Sequence, residues 1–277
     1  MTKKTKNSAS KPIPRVYRIL PDFNPGCRAC SLANNGAIGG HTFGKLQFTA
    51  LLIVAAYPAH EEVAKGFSLA PNQRRKGIDK PNAGRYLKYS IIHTFDNDPD
   101  FPDELKPFYN RIAFTNMVKC SPFNMRHEKV DVKDNHIKTC KKTWLEKEIA
   151  AIGKYNPTCP ILLCGSEAVK LLGPKMKVYS NRRQRFMYNN THPVVVTFNP
   201  VEVCRYTAYK IEESKTTRNG TLYVDKVLPE KPIVFGSTAW HWSKDMNTVK
   251  DLVLANYKYR KGEDKSEFKR LMEYFGV

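Results

Sequence analysis

The sequence has few acidic residues and no long apolar segment. Its 277 residues include 26 Asp and Glu against 46 Lys and Arg, a formal net charge of +20. No run of eighteen apolar residues occurs, so no membrane partner is expected. Residues 1–12 are basic and polar and lead into no apolar segment, which argues against a secretory signal and predicts a disordered tail. We therefore expect a cytoplasmic protein, and the charge excess favours a nucleic acid as partner over a merely soluble surface.

The cysteine count is odd. Seven cysteines without an export signal argue against a disulfide framework and favour metal ligands or buried thiols. Cys27 and Cys30 form a Cys-x-x-Cys on a turn framed by proline and glycine, where two sulfurs can converge on one metal. Cys120 and Cys140 each stand at a turn or in the first half of a helix, with polar neighbours. Spacing alone leaves zinc, an iron–sulfur cluster and ordinary thiols open. Three further cysteines have apolar neighbours or strand positions and are predicted to lie in the core: Cys159, Cys164 and Cys204.

The stretch Ala113–Arg126 is the centre of the functional prediction. Its first half alternates apolar or small residues with polar ones, as a strand does. Pro122 then prevents a central strand from continuing. This places Asn116 near the carboxyl end of the strand, where open α/β sheets hold their ligands, and Cys120 at the start of the turn.

Short apolar runs at 46–56, 160–165 and 194–198 are typical of buried parallel strands. Helical spacing follows at 85–93, 136–152, 242–259 and 268–275, and a short helix is expected at 166–172. The pattern predicts one α/β domain over 13–277, with a mostly parallel sheet and helices on both faces. Insertions are expected near 66–84, a long basic loop, and near 206–230, a hairpin turning at Asn219-Gly220. We also expect a surface excursion at 96–107 and a last short strand at 232–235.

Two clusters of cations are candidates for contact with DNA phosphates. They are Arg74, Arg75 and Lys76 in the long loop, and Arg182, Arg183 and Arg185 in the basic segment 175–185.

These motifs resemble the uracil-DNA glycosylase superfamily, nearest to its iron–sulfur branches, families four and five. Those families combine an N-terminal Cys-x-x-Cys, an Asn-x-Val-Lys-Cys-x-Pro-x-Asn-x-Arg stretch, a further Cys, a strand ending in Leu-Gly and a strand ending in His-Pro-Ser. Here the second element runs from Asn116 to Arg126, and the resemblance extends from Cys27 to about Arg205. It implies a four-stranded parallel sheet between helices, and a DNA glycosylase that flips a base out of DNA. It also favours a 4Fe-4S cluster over zinc, held by Cys27, Cys30, Cys120 and Cys140.

The sequence departs from that pattern at the catalytic positions. Ala56 stands where family four has a carboxylate that holds the attacking water, although family five also lacks a polar residue there. Asn199 stands for the His of His-Pro-Ser, and Val201 for the Ser. His192 does not align with the motif and is predicted to be a turn residue.

The remaining polar groups suggest how catalysis could still occur. Asn199 could donate an amide N–H to the pyrimidine O2, where negative charge develops as the base leaves. The attacking water could be held by His60, Glu61 or Glu62, or by backbone carbonyls.

The base itself is expected to lie against Asn116, whose amide offers both a donor and an acceptor. Tyr57 and Phe67 are candidate stacking surfaces. Ala56 is small, and Ala59 stands where well-known uracil enzymes often have a Tyr packed against uracil C5, so the pocket has room for a substituent on the base.

Three functions remain open from the sequence. The first is excision of a C5-enlarged pyrimidine, such as those of phages with hypermodified DNA, as part of antiviral defence. The second is ordinary uracil removal in base-excision repair. The third is an iron–sulfur DNA-binding protein without catalysis. In each case we expect a monomer that acts on DNA.

Overall fold

The computed structural model describes residues 16–21, 27–33, 38–59, 62–63, 66, 68–69, 83–123, 129–182, 184–206, 209–218, 221–229 and 235–275. Within these ranges, no helix is both long enough and apolar enough to cross a membrane.

A seven-stranded mixed sheet forms the centre of the fold. Its strands are β1 Val16–Arg18, β2 His41–Phe43, β3 Leu51–Ala55, β4 Ile112–Asn116, β5 Ile161–Cys164, β6 Phe186–Tyr188 and β7 His192–Thr197. They lie in the order β1-β2-β4-β3-β5-β7-β6. The four inner strands β4, β3, β5 and β7 are parallel, and β1, β2 and β6 add antiparallel edges. The predicted parallel core is confirmed, but the sheet is wider than the four strands that the resemblance implies.

The inner strands are apolar on both faces because helices cover both sides of the sheet. All five residues of β3 are buried, and so are all four of β5. The three antiparallel strands β1, β2 and β6 have only three residues each, too few to produce a periodic signal in the sequence.

The helices are α1 Ala83–Ile91, α2 Asp134–Cys140, α3 Glu146–Gly153, α4 Val178–Asn181, α5 Pro200–Tyr206, α6 Thr238–Lys261 and α7 Lys265–Tyr274. A π-helical segment, Lys141–Leu145, joins α2 to α3, and another, Ile92–Asp96, extends α1. The four longer predicted helices are therefore confirmed. The helix expected at 166–172 is only a 3-10 turn, Ala168–Leu171.

The interpretation of 96–107 as a surface excursion is only partly right: Asp100 and Glu104 are exposed, but Phe101 and Leu105 are buried. Phe101 is 1% exposed and packs edge-on against Phe95 and Phe108, with ring centroids 5.3 Å apart in both pairs. The acidic and proline residues of the segment mark its turns, while its aromatic residue enters the core.

The two strands of the predicted hairpin are present, and its predicted turn at Asn219-Gly220 lies outside the described residues. Strands β8 Tyr209–Arg218 and β9 Thr221–Pro229 pair antiparallel as a separate two-stranded sheet. Of the last strand expected at 232–235, only Phe235 lies in the described residues, and it is in a turn.

Candidate active site

The carboxyl ends of the four parallel strands meet at one edge of the sheet, as predicted. Ala55 at the end of β3 pairs with Asn116 at the end of β4, and Cys164 of β5 pairs with Thr197 of β7. Two backbone hydrogen bonds, from Met117 N to Ala55 O (2.8 Å) and from Val118 N to the carbonyl of Ala56 (3.0 Å), fix the loop after β4 against the loop after β3.

Asn116 is buried at this edge, with 1% of its surface exposed. Its Nδ2 donates a hydrogen bond to Ser68 Oγ at 2.7 Å. Its Oδ1 is buried and has no hydrogen-bond partner among the described residues. A buried acceptor without a partner costs about 1–3 kcal/mol, so Oδ1 is a candidate to receive a donor from a ligand. No sequence motif pointed to the contribution of Ser68.

Asn199 lies at the same edge of the sheet, two residues after the end of β7. Its Oδ1 accepts a hydrogen bond from Val201 N (3.0 Å), so Asn199 caps the first turn of α5. The oxygen of this amide is thus used in the cap, and its nitrogen, Nδ2, is the atom that can serve as a donor to a ligand. Gly165, at φ +93°, allows the close approach, since a Cβ there would lie 3.1 Å from the Asn199 Cβ.

The turn after β3 carries the other predicted base contacts. Ala56 is 3% exposed, Ala59 is exposed, and Tyr57 is half-buried with Lys129 Nζ 5.8 Å from its ring centroid. Glu62 Oε2 accepts a hydrogen bond from the N–H of Ala59, so this carboxylate helps to close the turn. Three further predicted residues lie outside the described residues: His60, Glu61 and Phe67.

A buried ion pair supports the loop that follows Asn116. Lys119 and Glu148 have side chains 1% and 0% exposed, and Nζ lies 2.6 Å from Oε2. Lys119 Nζ also donates to the carbonyl of Asn116 (2.7 Å) and to Thr115 Oγ1. Glu148 accepts from Thr115 Oγ1 at 2.6 Å and, through Oε1, from Gly40 N at 2.8 Å. These bonds fix the end of β4 to α3.

The four predicted cluster ligands lie near one another. Cys120 and Cys140 are 2% and 4% exposed, Cys27 and Cys30 are half-buried, and all four are free thiols. Burial raises the pKa of the Cys120 thiol to about 12, and the neighbouring Cys140, Cys30 and Cys27 add to the rise. Burial also raises the pKa of Cys140, with Cys30 and Cys27 contributing.

Two contacts connect the segments that carry these cysteines. Ser31 Oγ lies 2.9 Å from His136 Nε2 of α2, and Ile38 N donates to the Lys119 carbonyl at 3.0 Å. Among the described residues, no three His, Cys, Asp or Glu side chains are grouped closely enough for a single metal ion.

Arg182, one of the predicted DNA contacts, has an ion-pair partner within the protein. Its side chain is 7% exposed and lies 3.1 Å from Asp245, which also accepts from Thr197 Oγ1 at 2.8 Å. Arg182 thus holds α4 against α6. Arg185 is exposed and lies against Tyr274, whereas four further predicted cations lie outside the described residues: Arg74, Arg75, Lys76 and Arg183.

His192 is the first residue of β7, not a turn residue as predicted. It is 6% exposed, Nδ1 lies 3.0 Å from the Cys159 carbonyl, and burial lowers the pKa of its imidazole. Because it begins the strand that Asn199 follows, it lies at the opposite edge of the sheet and does not replace the missing catalytic histidine. The predicted core positions of Cys159 and Cys164 are confirmed.

Comparison with known proteins agrees with this geometry. The sequence model of the uracil DNA glycosylase superfamily matches residues 41–222, more than half of the chain, so this protein belongs to that superfamily. The match runs from β2 into β9 and includes both Asn116 and Asn199. No curated protein matches the chain significantly.

Proposed function

We propose that this protein is a DNA glycosylase that removes a pyrimidine from DNA and leaves an abasic site. The observation that carries the proposal is the placement of Asn116 and Asn199 at the ends of two parallel strands, β4 and β7, on the same edge of the sheet. One presents a buried acceptor without a partner, the other a donor, and both lie at the ligand-binding edge of the sheet.

Asn116 accounts for the choice of base. In the observed orientation Ser68 accepts from Nδ2, so Oδ1 is the atom that can face a base. An acceptor pairs with the N3–H of uracil and its C5-substituted relatives, whereas cytosine has an acceptor at N3. The arrangement favours a uracil-type edge.

Asn199 accounts for the stabilisation of the leaving group. As the C1′–N1 bond breaks, its electron pair goes to the base, and negative charge spreads to O2. The Asn199 Nδ2–H is the donor aimed at that charge. Water supplies the oxygen that bonds to C1′, and one of its protons is transferred to a nearby acceptor. Glu62 or a backbone carbonyl of the turn after β3 can position this water, and His60 and Glu61 are the other candidates.

The substrate we propose is enlarged at C5. This rests on Ala59, an exposed short side chain in the turn after β3, and on the small buried Ala56. Defence against phages with hypermodified DNA is a setting in which such an activity would be useful. Removal of plain uracil is the second candidate function, since the same acceptor would read it.

We also propose that Cys27, Cys30, Cys120 and Cys140 hold a 4Fe-4S cluster. Bound there, it would cross-link the N-terminal segment, the loop after β4 and α2. The support is the order of the four cysteines in the sequence and the burial of Cys120 and Cys140. Burial raises the pKa of the Cys120 thiol to about 12, and the neighbouring Cys140, Cys30 and Cys27 add to the rise, so uncompensated thiolates would be costly there.

Single-turnover cleavage tests the activity, on duplexes that carry uracil, 5-hydroxymethyluracil or a glycosylated pyrimidine. Asn116→Ala should reduce cleavage by about tenfold to a hundredfold, the cost of an unpaired base edge. Asn199→Ala should reduce the chemical step by about 10²–10³-fold with less effect on binding. Asn247→Ala, on the exposed face of α6, is the matched control and should change neither.

The substrates separate the alternatives. Cleavage of uracil alone would refute the enlarged pocket and leave ordinary repair. If none of the duplexes is cleaved and DNA binding is tight and unaffected by Asn199→Ala, the protein binds DNA without catalysis.

A further inference from the structure

Two aromatic side chains near Asn199 are almost fully exposed. Tyr179 in α4 and Phe235 before α6 have 82% and 80% of their surfaces exposed, the highest values among the large hydrophobic residues described. Rings this exposed bury little surface on folding, so packing does not explain them, and exposed apolar surface of this kind marks an interaction site.

These two residues are the ends of a continuous row of rings. Tyr179 contacts Phe198 with centroids 5.0 Å apart, and Phe198 lies 6.1 Å from His241. The row continues from His241 to Trp240 at 4.9 Å and from Trp240 to Phe235 at 4.6 Å. We call these five residues the aromatic row.

The aromatic row is anchored next to the candidate active site. Phe198 is 2% exposed and directly precedes Asn199, so the middle of the row lies beside the proposed base pocket. Arg182 lies over the Phe198 ring at 5.5 Å and is itself held by Asp245. The exposed rings therefore extend from a rigid support.

Cations accompany the rings. Lys244 is exposed, and its Nζ lies 5.8 Å from the Trp240 ring centroid. Lys175 and Lys177 are exposed in the segment that leads to Tyr179. Asp245, on the same helix as Lys244, is buried and paired with Arg182. Exposed rings interleaved with cations, on a protein of net charge +20, match a polyanion that offers flat apolar faces.

We propose that the aromatic row binds single-stranded DNA by stacking unpaired bases beside the nucleotide in the pocket. A duplex conceals the faces of its bases, so only unpaired bases can use these rings. Aromatic stacking tolerates any sequence, because every base has a π-face. The row would therefore give the protein a preference for single-stranded or locally opened DNA. The inference assumes DNA as the ligand but not glycosylase activity.

The test measures the affinity of the full-length protein for a fluorescent oligodeoxyadenylate and for the matching duplex, by anisotropy. The single strand has no pyrimidine, so its binding does not depend on cleavage or on the base pocket. The wild type should bind the single strand more tightly than the duplex. Tyr179→Ala and Phe235→Ala should each weaken single-strand binding about tenfold, the usual scale for one stacked base, with little change for the duplex.

Controls separate stacking from charge and from folding. Tyr179→Phe and Phe235→Trp should retain the affinity, because they keep an aromatic face. Tyr155→Ala removes a ring that is 49% exposed and follows α3, and should change nothing. The difference between wild type and the alanine variants should persist at high salt, where phosphate contacts weaken.

Equal affinity for single strand and duplex would overturn the proposal, and so would alanine variants that lose affinity for both forms equally. Binding to anionic phosphatidylglycerol vesicles that both alanine variants abolish, with single-strand affinity unchanged, would also overturn it and assign the aromatic row to a lipid surface.

Discussion

Replacement of Lys119 by Met removes one partner of the buried ion pair and should destabilise the fold severely. The Glu148 carboxylate is 0% exposed and would keep only its bonds from Thr115 and Gly40. Loss of one member of a buried pair costs about 3–5 kcal/mol, because the other charge stays buried and uncompensated. For a domain whose total stability is about 5–15 kcal/mol, that is a large fraction.

Urea unfolding, followed by tryptophan fluorescence, measures the effect. Lys119→Met should lower the free energy of unfolding by that amount with little change in the slope against urea. Lys170→Met is the matched control, since its ion pair with Asp134 lies at the surface, with side chains 26% and 71% exposed. Such pairs contribute about 0–1 kcal/mol.

The double variant Lys119→Met, Glu148→Gln tests whether the uncompensated charge of Glu148 causes this loss of stability. Gln carries no charge but keeps an acceptor for Gly40 and a donor for Thr115, so the double variant should recover much of the lost stability. If Lys119→Met costs no more than Lys170→Met, or if the double variant is no more stable than Lys119→Met alone, the account of an uncompensated buried charge is wrong.

Three shorter predictions address the cluster, the base-reading amide and the pH dependence. Cys120→Ser should abolish the brown colour and iron content of anaerobically purified protein, whereas Cys164→Ser should leave both; zinc without iron in the wild type would refute the cluster. Ser68→Ala frees the Asn116 amide to rotate and should reduce cleavage about tenfold, in KM more than in kcat; an unchanged rate refutes the positioning role. Burial raises the pKa of the Asp96 carboxyl from 3.8 to about 6. The folded protein therefore binds this proton more tightly than the unfolded chain does, and stability should fall as pH rises from about 4 to 6. The free energy of unfolding should fall by about 3 kcal/mol over this range, and Asp96→Asn should remove the fall. If the urea midpoint depends on pH in the same way in both proteins, the prediction is contradicted.

Local sequence pattern was enough to predict the inner strands and the longer helices. The runs at 51–55 and 161–164 are apolar at every position, as expected of strands that are covered on both faces of the sheet. Helical spacing located α3 and α6. Pro122 and the polar residues before it placed Asn116 at a strand end. Because the carboxyl ends of parallel strands lie at the same edge of the sheet, that position already predicted that Asn116 shares this edge with Asn199.

Which polar side chains are paired within the protein could not be predicted from local pattern. The sequence suggested Arg182 as a phosphate contact, but its partner in the structure is Asp245, 63 residues later in the chain. Lys119 pairs with Glu148, which is 29 residues later. Likewise Ser68 fixes the Asn116 amide from 48 residues away. Periodicity reports the burial of a face over a few residues and carries no information about such pairs. They form when the sheet brings distant segments together, where a buried charge or amide needs a partner.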